Sequence, residues 1–231
     1  MEFLENDFLL LTLTFGVFCL SKYIQKRTGW IVFNPILVTI AVLIAFLKLT
    51  GVSYETYNRS GVLISFWLKP AVVALGVPLY LQLEMIKKQL LPIFVSQLVG
   101  CLVGIISVVL IAKGLGASSE IICSLAPKSV TTPIAMEVSS ATGGIPSLTA
   151  AVVVAVGLFG AVFGFKVLSL GRVGSPIAQG LSIGTASHAV GTSRAMEVSS
   201  KYGAYASLGL TLNGILTAIL TPSILKLLGI I

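Results

Sequence analysis

Four stretches of the sequence contain no Asp, Glu, Lys or Arg, and they restrict the chain to folds whose surroundings are largely apolar. These stretches are Thr28 to Leu47, Gln89 to Ala112, Ile145 to Phe165 and Tyr202 to Leu225. Each is long enough for a helix that crosses a bilayer, which takes about 20 apolar residues. Only 10% of all residues are charged, against about 25% in soluble domains, and the mean hydropathy is +1.03. We therefore predict an integral membrane protein.

The charges near the first apolar stretch indicate its orientation. The sequence begins with the acidic segment Met1 to Asp7, and the apolar stretch Phe8 to Leu20 is followed by Lys22, Lys26 and Arg27. Basic residues favour the cytoplasmic side of a membrane. We expect a retained first span with its basic end in the cytoplasm and the N-terminus outside. The net charge of +7 lies mainly at the ends of spans, so we expect no nucleic-acid partner.

The apolar pattern predicts an all-α polytopic membrane protein that forms a single domain, 1–231, with about six to eight membrane segments. The segments that can be drawn are about 8–25, 29–48, 60–83, 89–113, 119–141, 145–169, 175–199 and 202–228. The third contains Lys69, Pro70 and Pro78, so we expect it to be kinked or partly interfacial.

An internal repeat is the most informative feature of the sequence. The hexapeptide AMEVSS occurs at residues 135–140 and again at 195–200, 60 positions later. Further matches at the same offset are Val130 with Val190, Thr132 with Thr192, Gly143 with Gly203, and Ser147-Leu148 with Ser207-Leu208. We interpret this as a duplicated unit, with a first copy at about 119–169 and a second copy at about 175–228.

Each copy is predicted to contain a broken helix just before the hexapeptide. Pro127 and Pro133 lie in the first copy, and proline lacks the backbone donor of a helix interior and disfavours helical geometry at the preceding residue. In the second copy the segment Gly184 to Gly191 supplies the break. We therefore expect two discontinuous or re-entrant helices.

The restarted helices are predicted at 133–141 and 193–201, with Thr132 and Thr192 as their N-caps. A helix of about nine residues is about 13 Å long, which is about half of a hydrocarbon core of roughly 30 Å. Helices that start near the membrane midplane direct free N–H groups and a positive dipole end at a ligand, as in many secondary transporters. Charge counting leaves open whether the two copies are inverted or parallel.

Polar residues around the breaks predict a substrate site for a small carboxylate. The candidates are Lys128, Ser129, Thr131, Thr132, Glu137, His188, Thr192, Ser193, Arg194 and Glu197. Ionisable groups are rare within spans and usually mark a pathway or an ion pair. If each glutamate pairs with one base, a cation remains beside two helix N-termini, which favours an anion over a metal ion. We expect no metal, no cofactor and no catalytic residues.

Structural roles are open for several of these residues. Glu137 and Glu197 can lock helices through salt bridges, for example between Arg194 and Glu197 one turn apart. His188, the single histidine, can be a buried group with a satisfied hydrogen bond instead of a proton-responsive one. Asn213 in the last span is expected to form an interhelix hydrogen bond.

The segments PKSVTTPIAMEVSSATGGIPSLTA (127–150) and GTASHAVGTSRAMEVSSKYG (184–203) resemble the LrgB/CidB family, and the resemblance covers essentially the whole chain. It implies an antiholin-like or holin-like protein that influences murein hydrolase export and lysis, together with a small LrgA/CidA-type membrane partner. Bacterial relatives are also linked to pyruvate uptake, and the plant relative is a plastid glycolate/glycerate translocator. The resemblance therefore implies a short 2-oxo or 2-hydroxy monocarboxylate as substrate.

Two functions follow as hypotheses. The leading one is a carrier or facilitator for small monocarboxylates, in which Lys128, His188 or Arg194 anchors the carboxylate, and not an enzyme. The alternative is a holin-like pore or its regulator, which acts by oligomerising in the membrane. We expect the lipid bilayer and an LrgA/CidA-type protein as partners and a homo-oligomer, with a dimer favoured.

Overall fold

The computed structural model shows a helical protein. It describes residues 6–29, 33, 35–67, 70, 80 and 83–231. All regular secondary structure within these ranges is helical, which confirms the all-α prediction. The chain divides into two compact units, Met1–Ala71 and Val72–Ile231, which are described in turn.

The first unit contains α1 (Asp7–Thr28), α2 (Pro35–Thr50) and α3 (Tyr54–Ser65). The side chain of Asn6 caps α1 by accepting a hydrogen bond from the backbone N–H of Phe8 at 2.9 Å, as short polar residues do at helix N-termini. Ser60 Oγ of α3 donates to Asp7 Oδ1 of α1 at 2.6 Å. Most of the apolar segment predicted at 60–83 lies outside the described residues.

The second unit contains seven helices within its described residues. They are α4 (Leu83–Lys88), α5 (Leu90–Gly114), α6 (Ser119–Leu125), α7 (Thr132–Ala141), α8 (Pro146–Leu170), α9 (Pro176–Val198) and α10 (Ser200–Leu227). Helices α8 and α9 begin with Pro146 and Pro176, because a first-turn residue needs no backbone donor for an intrahelical bond.

Four helices of the described ranges are long and apolar enough to cross a membrane. They are α1, residues Leu91–Gly114 of α5, α8 and α10, and α2 is a shorter apolar helix. Three of the four long charge-free stretches, 89–112, 145–165 and 202–225, therefore fold as helices of membrane-spanning length. The stretch 28–47 is described in part and forms most of the shorter helix α2.

Helices α9 and α10 approach until their backbones touch. A Cβ atom at Gly184 would lie 1.9 Å from the carbonyl oxygen of Ala206, and one at Gly209 would lie 2.5 Å from that of Leu181. Neither position has room for a side chain. Small residues permit such approaches between membrane helices, where dispersion contacts and interhelix hydrogen bonds replace the hydrophobic driving force of soluble proteins.

Helix α8 packs on α9 through a second set of glycines. A Cβ at Gly160 would lie 1.6 Å from Ser187 Oγ, and one at Gly164 would lie 2.4 Å from Ile183 Cδ1. The Gly-xxx-Gly pattern of α8 thus serves a contact within the chain. The first hexapeptide lies in α7, and the second begins in α9 and ends at the start of α10.

Candidate functional site

The first copy is interrupted between α6 and α7, at residues 126–131, which we call the first interruption. The backbone N–H of Lys128 donates to the carbonyl of Leu125 in a turn. Thr131 occupies the N-cap position of helix α7, with φ −60° and ψ 143°, although its side chain forms no capping hydrogen bond. The prediction of Thr132 as N-cap is therefore wrong by one residue. Pro133 is tolerated at the second helical position as well as at the first, because neither needs a donor. Restarted helix α7 therefore spans 132–141, one residue longer than predicted.

The second interruption is a single residue inside α9. His188 has φ 41° and ψ −138°, whereas the residues on both sides are helical. Thr192 is buried within the following helix, and its Oγ1 donates to the carbonyl of His188 at 2.8 Å. The prediction of Thr192 as N-cap is therefore wrong: Thr192 makes the bond to residue i−4 that threonine forms inside helices.

The end of α9 also differs from the predicted helix at 193–201. Helix α9 ends at Val198, and Ser199 is extended with φ −168° and ψ 160°. Ser199 then caps α10 by accepting a hydrogen bond from the N–H of Tyr202. The first Ser of the hexapeptide thus caps a new helix, because a serine hydroxyl competes with the helix for backbone donors.

Lys128 of the first interruption lies at a cavity of about 650 Å³. Its Nζ donates to Ser129 Oγ at 3.2 Å, and the side chain is partly buried. Among the described residues, no carboxylate lies within ion-pair distance of Lys128. The polar residues that line this cavity include Ser96, Gln97, Lys128, Ser129, Thr185 and Asn213. An unpaired cation in a mainly apolar cavity is a suitable anchor for a small anion.

Asn213 connects the elements around this cavity. Its Nδ2 donates to the carbonyl of Ser129 at 3.3 Å and to that of Thr185 at 3.0 Å, which confirms the expected interhelix hydrogen bond. Thr185 Oγ1 in turn donates to Gln97 Oε1 at 2.7 Å. Gln97 and Thr185 were not predicted as site residues. The signal that identifies Gln97 is a lone buried amide in an otherwise apolar span, since such groups need partners.

Each interruption contacts the long helix of the other copy at the same position of the repeat. Ser129 of the first interruption meets Asn213 in α10, and His188 Nε2 donates to the carbonyl of Val153 in α8 at 2.8 Å. Val153 and Asn213 are 60 residues apart, and Ser129 and His188 are 59 apart, so the contacts match at the helix and differ by one residue at the interruption. The internal repeat is therefore visible in the tertiary contacts as well as in the sequence.

The remaining candidates do not line the cavity beside Lys128. Arg194 Nη1 forms an ion pair with Glu197 Oε2 at 2.7 Å, as the structural alternative proposed. Glu137 and Ser193 are exposed, and His188 is buried with its hydrogen bond satisfied. Thr131 and Thr132 lie next to the cavity residues in sequence at the start of α7. Of the ten candidates, the structure brings Lys128 and Ser129 to this cavity.

This fold places the chain in the class of helical membrane proteins with a duplicated unit. The model of the LrgB-like family matches residues 14–227, so the chain belongs to that family. No solved structure matches the chain.

Three relatives illustrate the range of the family. The uncharacterised protein YwbG of Bacillus subtilis is 41% identical over 216 residues, which cover 94% of this chain and 96% of the relative. The holin-like protein CidB of Staphylococcus epidermidis is 36% identical over 95% of this chain and 96% of its own length. The antiholin-like protein LrgB of B. subtilis is 33% identical over 99% of this chain and its entire length.

Proposed function

We propose that the chain moves small monocarboxylates, of the pyruvate, glycolate or glycerate class, across the bacterial inner membrane and binds them beside Lys128. The observation that supports an anion site is the Lys128 side chain, which is partly buried at a cavity and has no carboxylate partner among the described residues. The choice of carboxylates within the anions rests on the family resemblance of the sequence.

The surroundings of Lys128 suit an anion. Ser129 offers a hydroxyl group at the cavity, and the N-terminus of α7 follows three residues later. The side chain of Thr131 accepts no hydrogen bond from the first turn of α7. It therefore does not occupy the N–H groups at this end of the helix. Free N–H groups and the positive end of the helix dipole favour a negative charge.

We propose that the helix interruptions lie near the midplane of the membrane. Asn213, which contacts the first interruption, lies close to the middle of the 28-residue helix α10. If α10 spans the bilayer with its N-terminal and C-terminal ends at the two surfaces, the first interruption lies near the midplane. Secondary transporters place binding sites at such discontinuous helices. We further propose six to eight membrane segments and an outside N-terminus.

The names of relatives support a second candidate function, and they support it better than they support transport of carboxylates. CidB is named holin-like and LrgB antiholin-like, so this chain would act as a pore or as a regulator of one in murein hydrolase export and lysis. Under either function we propose an LrgA/CidA-type membrane partner and a homo-oligomer. Neither function involves a catalysed chemical step.

Uptake into proteoliposomes separates the two candidates. The full chain is reconstituted with and without an LrgA-type protein, and the initial uptake of labelled pyruvate, glycolate and glycerate is measured against concentration. A carrier gives saturable uptake, and each acid inhibits the uptake of the others. Unsaturable passage of these acids together with unrelated solutes such as sucrose would support the pore, and the absence of saturable uptake in both preparations would overturn the carrier.

A further inference from the structure

The chain of α9 turns back on itself at His188. A Cβ atom at Gly191 would lie 3.1 Å from Ile183 Cγ2 and 3.3 Å from the Ile183 carbonyl oxygen. A continuous helix would instead separate these two residues by about 12 Å along its axis. The segments 176–187 and 189–198 therefore form a hairpin with His188 at its tip, which we call the second hairpin.

Helices α6 and α7 form the corresponding first hairpin around the first interruption. Ser124 of α6 and Ser139 of α7 meet at Thr149, whose Oγ1 lies 3.0 Å from the Ser124 carbonyl and 2.8 Å from Ser139 Oγ. At the tip, the carbonyl of Ser129 accepts a hydrogen bond from Asn213 near the middle of α10. The open end of this hairpin thus lies beside the start of α8.

The second hairpin has its open end beside the other end of α8. Gln179 Nε2, near the start of α9, donates to the carbonyl of Val173, just after α8. The Phe165 ring of α8 lies 5.7 Å from the Tyr202 ring at the start of α10. Because α8 is long enough to cross a membrane, the two hairpins enter from opposite faces. We call these the first face, at the start of α8, and the second face, at its end.

Basic residues are concentrated at the second face. Helices α5 and α10 both start there, since Ile93 packs against Leu181 and Tyr205. Of the nine Lys and Arg residues in 83–231, six lie near the second face, two lie near the first face, and Lys128 lies at the cavity. The six are Lys87, Lys88, Lys166, Arg172, Arg194 and Lys201, and the two are Lys113 and Lys226. An excess of Lys and Arg marks the cytoplasmic side, which assigns the second face to the cytoplasm.

The cavity beside Lys128 extends to this second face. Its lining includes Gln89 and Ser175, which immediately precede α5 and α9. Toward the first face, the lining ends at Ile105 in α5 and Thr217 in α10 among the described residues.

A packed layer lies between the cavity and the first face. Val109 and Leu225 are 0% exposed, Cys123 of the first hairpin is 1% exposed, and the three belong to one apolar cluster. Apolar interiors pack with few voids larger than a water molecule. This layer therefore closes the path from Lys128 to the outside.

We infer that access to Lys128 is one-sided: the structure is open to the cytoplasm, and the first hairpin with its packed layer is a closed outer gate. The inference goes beyond the proposed function, from which it takes only the site at Lys128. Inverted repeats that enter from opposite faces are the architecture with which many transporters open one side at a time. A holin-like pore would instead expose this site to both sides.

Cysteine labelling in oriented membrane vesicles tests the inference without a measurement of uptake. The full chain carries Cys19→Ser, because Cys19 is exposed, whereas Cys101 and Cys123 are buried and give the background. Single cysteines are added by Ser129→Cys or Ser182→Cys, both in the cavity. Ser182 is exposed, so this variant keeps the test available if Ser129→Cys does not fold. A membrane-impermeant sulfonated maleimide is then added to right-side-out and inside-out vesicles.

Lys88→Cys and Ser118→Cys, both at exposed positions, report the second and the first face. We expect the cavity cysteines and Lys88→Cys to react about tenfold or more faster in inside-out vesicles, because an outward-open minor state is populated at about 10% or less. Ser118→Cys should react faster in right-side-out vesicles.

Similar rates for the cavity cysteines in both kinds of vesicle, or faster reaction in right-side-out vesicles, would overturn one-sided access from the cytoplasm. Absence of labelling at both cavity positions would overturn it as well, since the cavity would then be closed. Reversed labelling of Lys88→Cys and Ser118→Cys would overturn the orientation. Failure of saturable uptake in proteoliposomes would remove the proposed carrier function but would leave the labelling result unchanged.

Discussion

The two interruptions occupy equivalent positions of one repeat, yet their central side chains have different surroundings. His188 is buried, donates to the carbonyl of Val153, and packs closely against Gly157, where a Cβ would lie 2.5 Å from its ring. Lys128 instead lines a cavity and has only a hydroxyl group as partner among the described residues. The second interruption is thus a closed structural contact, whereas the first leaves a charged group at a cavity.

The difference originates in the helices that face the interruptions. Helix α8 presents Gly157 and Gly160 to the second interruption. The residues at the same positions in α10 are Thr217 and Leu220. Because these glycines have no side chains, the second interruption packs directly against α8. Thr217 lines the cavity together with Asn213, so space remains beside the first interruption.

The largest expected effect comes from filling the glycine surface of α8. In Gly160→Ala the added Cβ would lie 1.6 Å from Ser187 Oγ and 2.3 Å from Ser187 Cβ, so α8 and α9 must separate. We expect a loss of about 3 kcal/mol or more in stability, measured as a strong drop in the melting temperature in detergent or as loss of monodisperse protein. Gly16→Ala, where no atom lies within 4 Å, is the control. Equal stability of both variants would show that the second interruption is not closed.

The next prediction distinguishes the two interruptions by substitutions of Lys128 and His188. Lys128→Met is expected to reduce the affinity for small carboxylates about 10- to 100-fold, because it removes a charge-assisted hydrogen bond, with little change in melting temperature. His188→Gln should do the reverse: a lower melting temperature, with affinity and the pH profile of uptake nearly unchanged. Lys166→Met, exposed on α8, controls for general loss of charge. A shifted pH profile in His188→Gln would assign a transport role to the second interruption.

A smaller effect is expected from a set of hydrogen bonds made by Thr149, here called the brace, which the second copy lacks. Thr149 Oγ1 lies 2.8 Å from Ser139 Oγ and 3.0 Å from the carbonyl of Ser124, whereas the equivalent residue of the second copy is Gly209. Thr149→Val keeps the shape and leaves buried polar groups unpaired. We expect a loss of about 1–3 kcal/mol, measured by thermal unfolding, with Thr12→Val at an exposed site of α1 as control. An unchanged melting temperature would show that the brace does not stabilise the first copy.

The smallest effect concerns the glutamates of the hexapeptides. Glu197 pairs with Arg194 at 2.7 Å, but both side chains are substantially exposed, and such pairs contribute about 0.2–1 kcal/mol. Glu197→Gln should therefore lower the stability by less than about 0.5 kcal/mol. Glu137→Gln, the matched change in the first copy, should have no effect on stability. A large loss in either variant would place that carboxylate in a buried ion pair or charge-assisted hydrogen bond that the structure does not show.

The sequence identifies the helical membrane class and the repeat because both depend on local properties, apolar length and sequence identity. The N-caps at Thr132 and Thr192 were wrong because capping depends on where the backbone leaves helical geometry. In the second copy that point is His188, held by Val153 of another helix. A contact between helices distant in sequence leaves no signal in the local pattern.

The polar network around the cavity was predicted only in part. Lys128 and Ser129 were identified because ionisable and hydroxyl groups are conspicuous near prolines, and Asn213 was expected to bond between helices. The partnership of Gln97 with Thr185 depends on how α5 packs against α9, which the sequence does not specify. The position of the Asn213 amide depends on the carbonyls of Ser129 and Thr185, which become neighbours only in the folded chain.

The backbone contact between α9 and α10 has a mechanical consequence. Leu181 and Gly184 lie on the N-terminal side of His188, and they lock that part of α9 against Ala206 and Gly209 of α10 with no side chain between them. The two helices cannot slide past each other here without steric collision. We therefore expect the N-terminal part of α9 and the facing part of α10 to move together. The first position at which α9 can bend independently of α10 is therefore His188, where the helical geometry of α9 is interrupted.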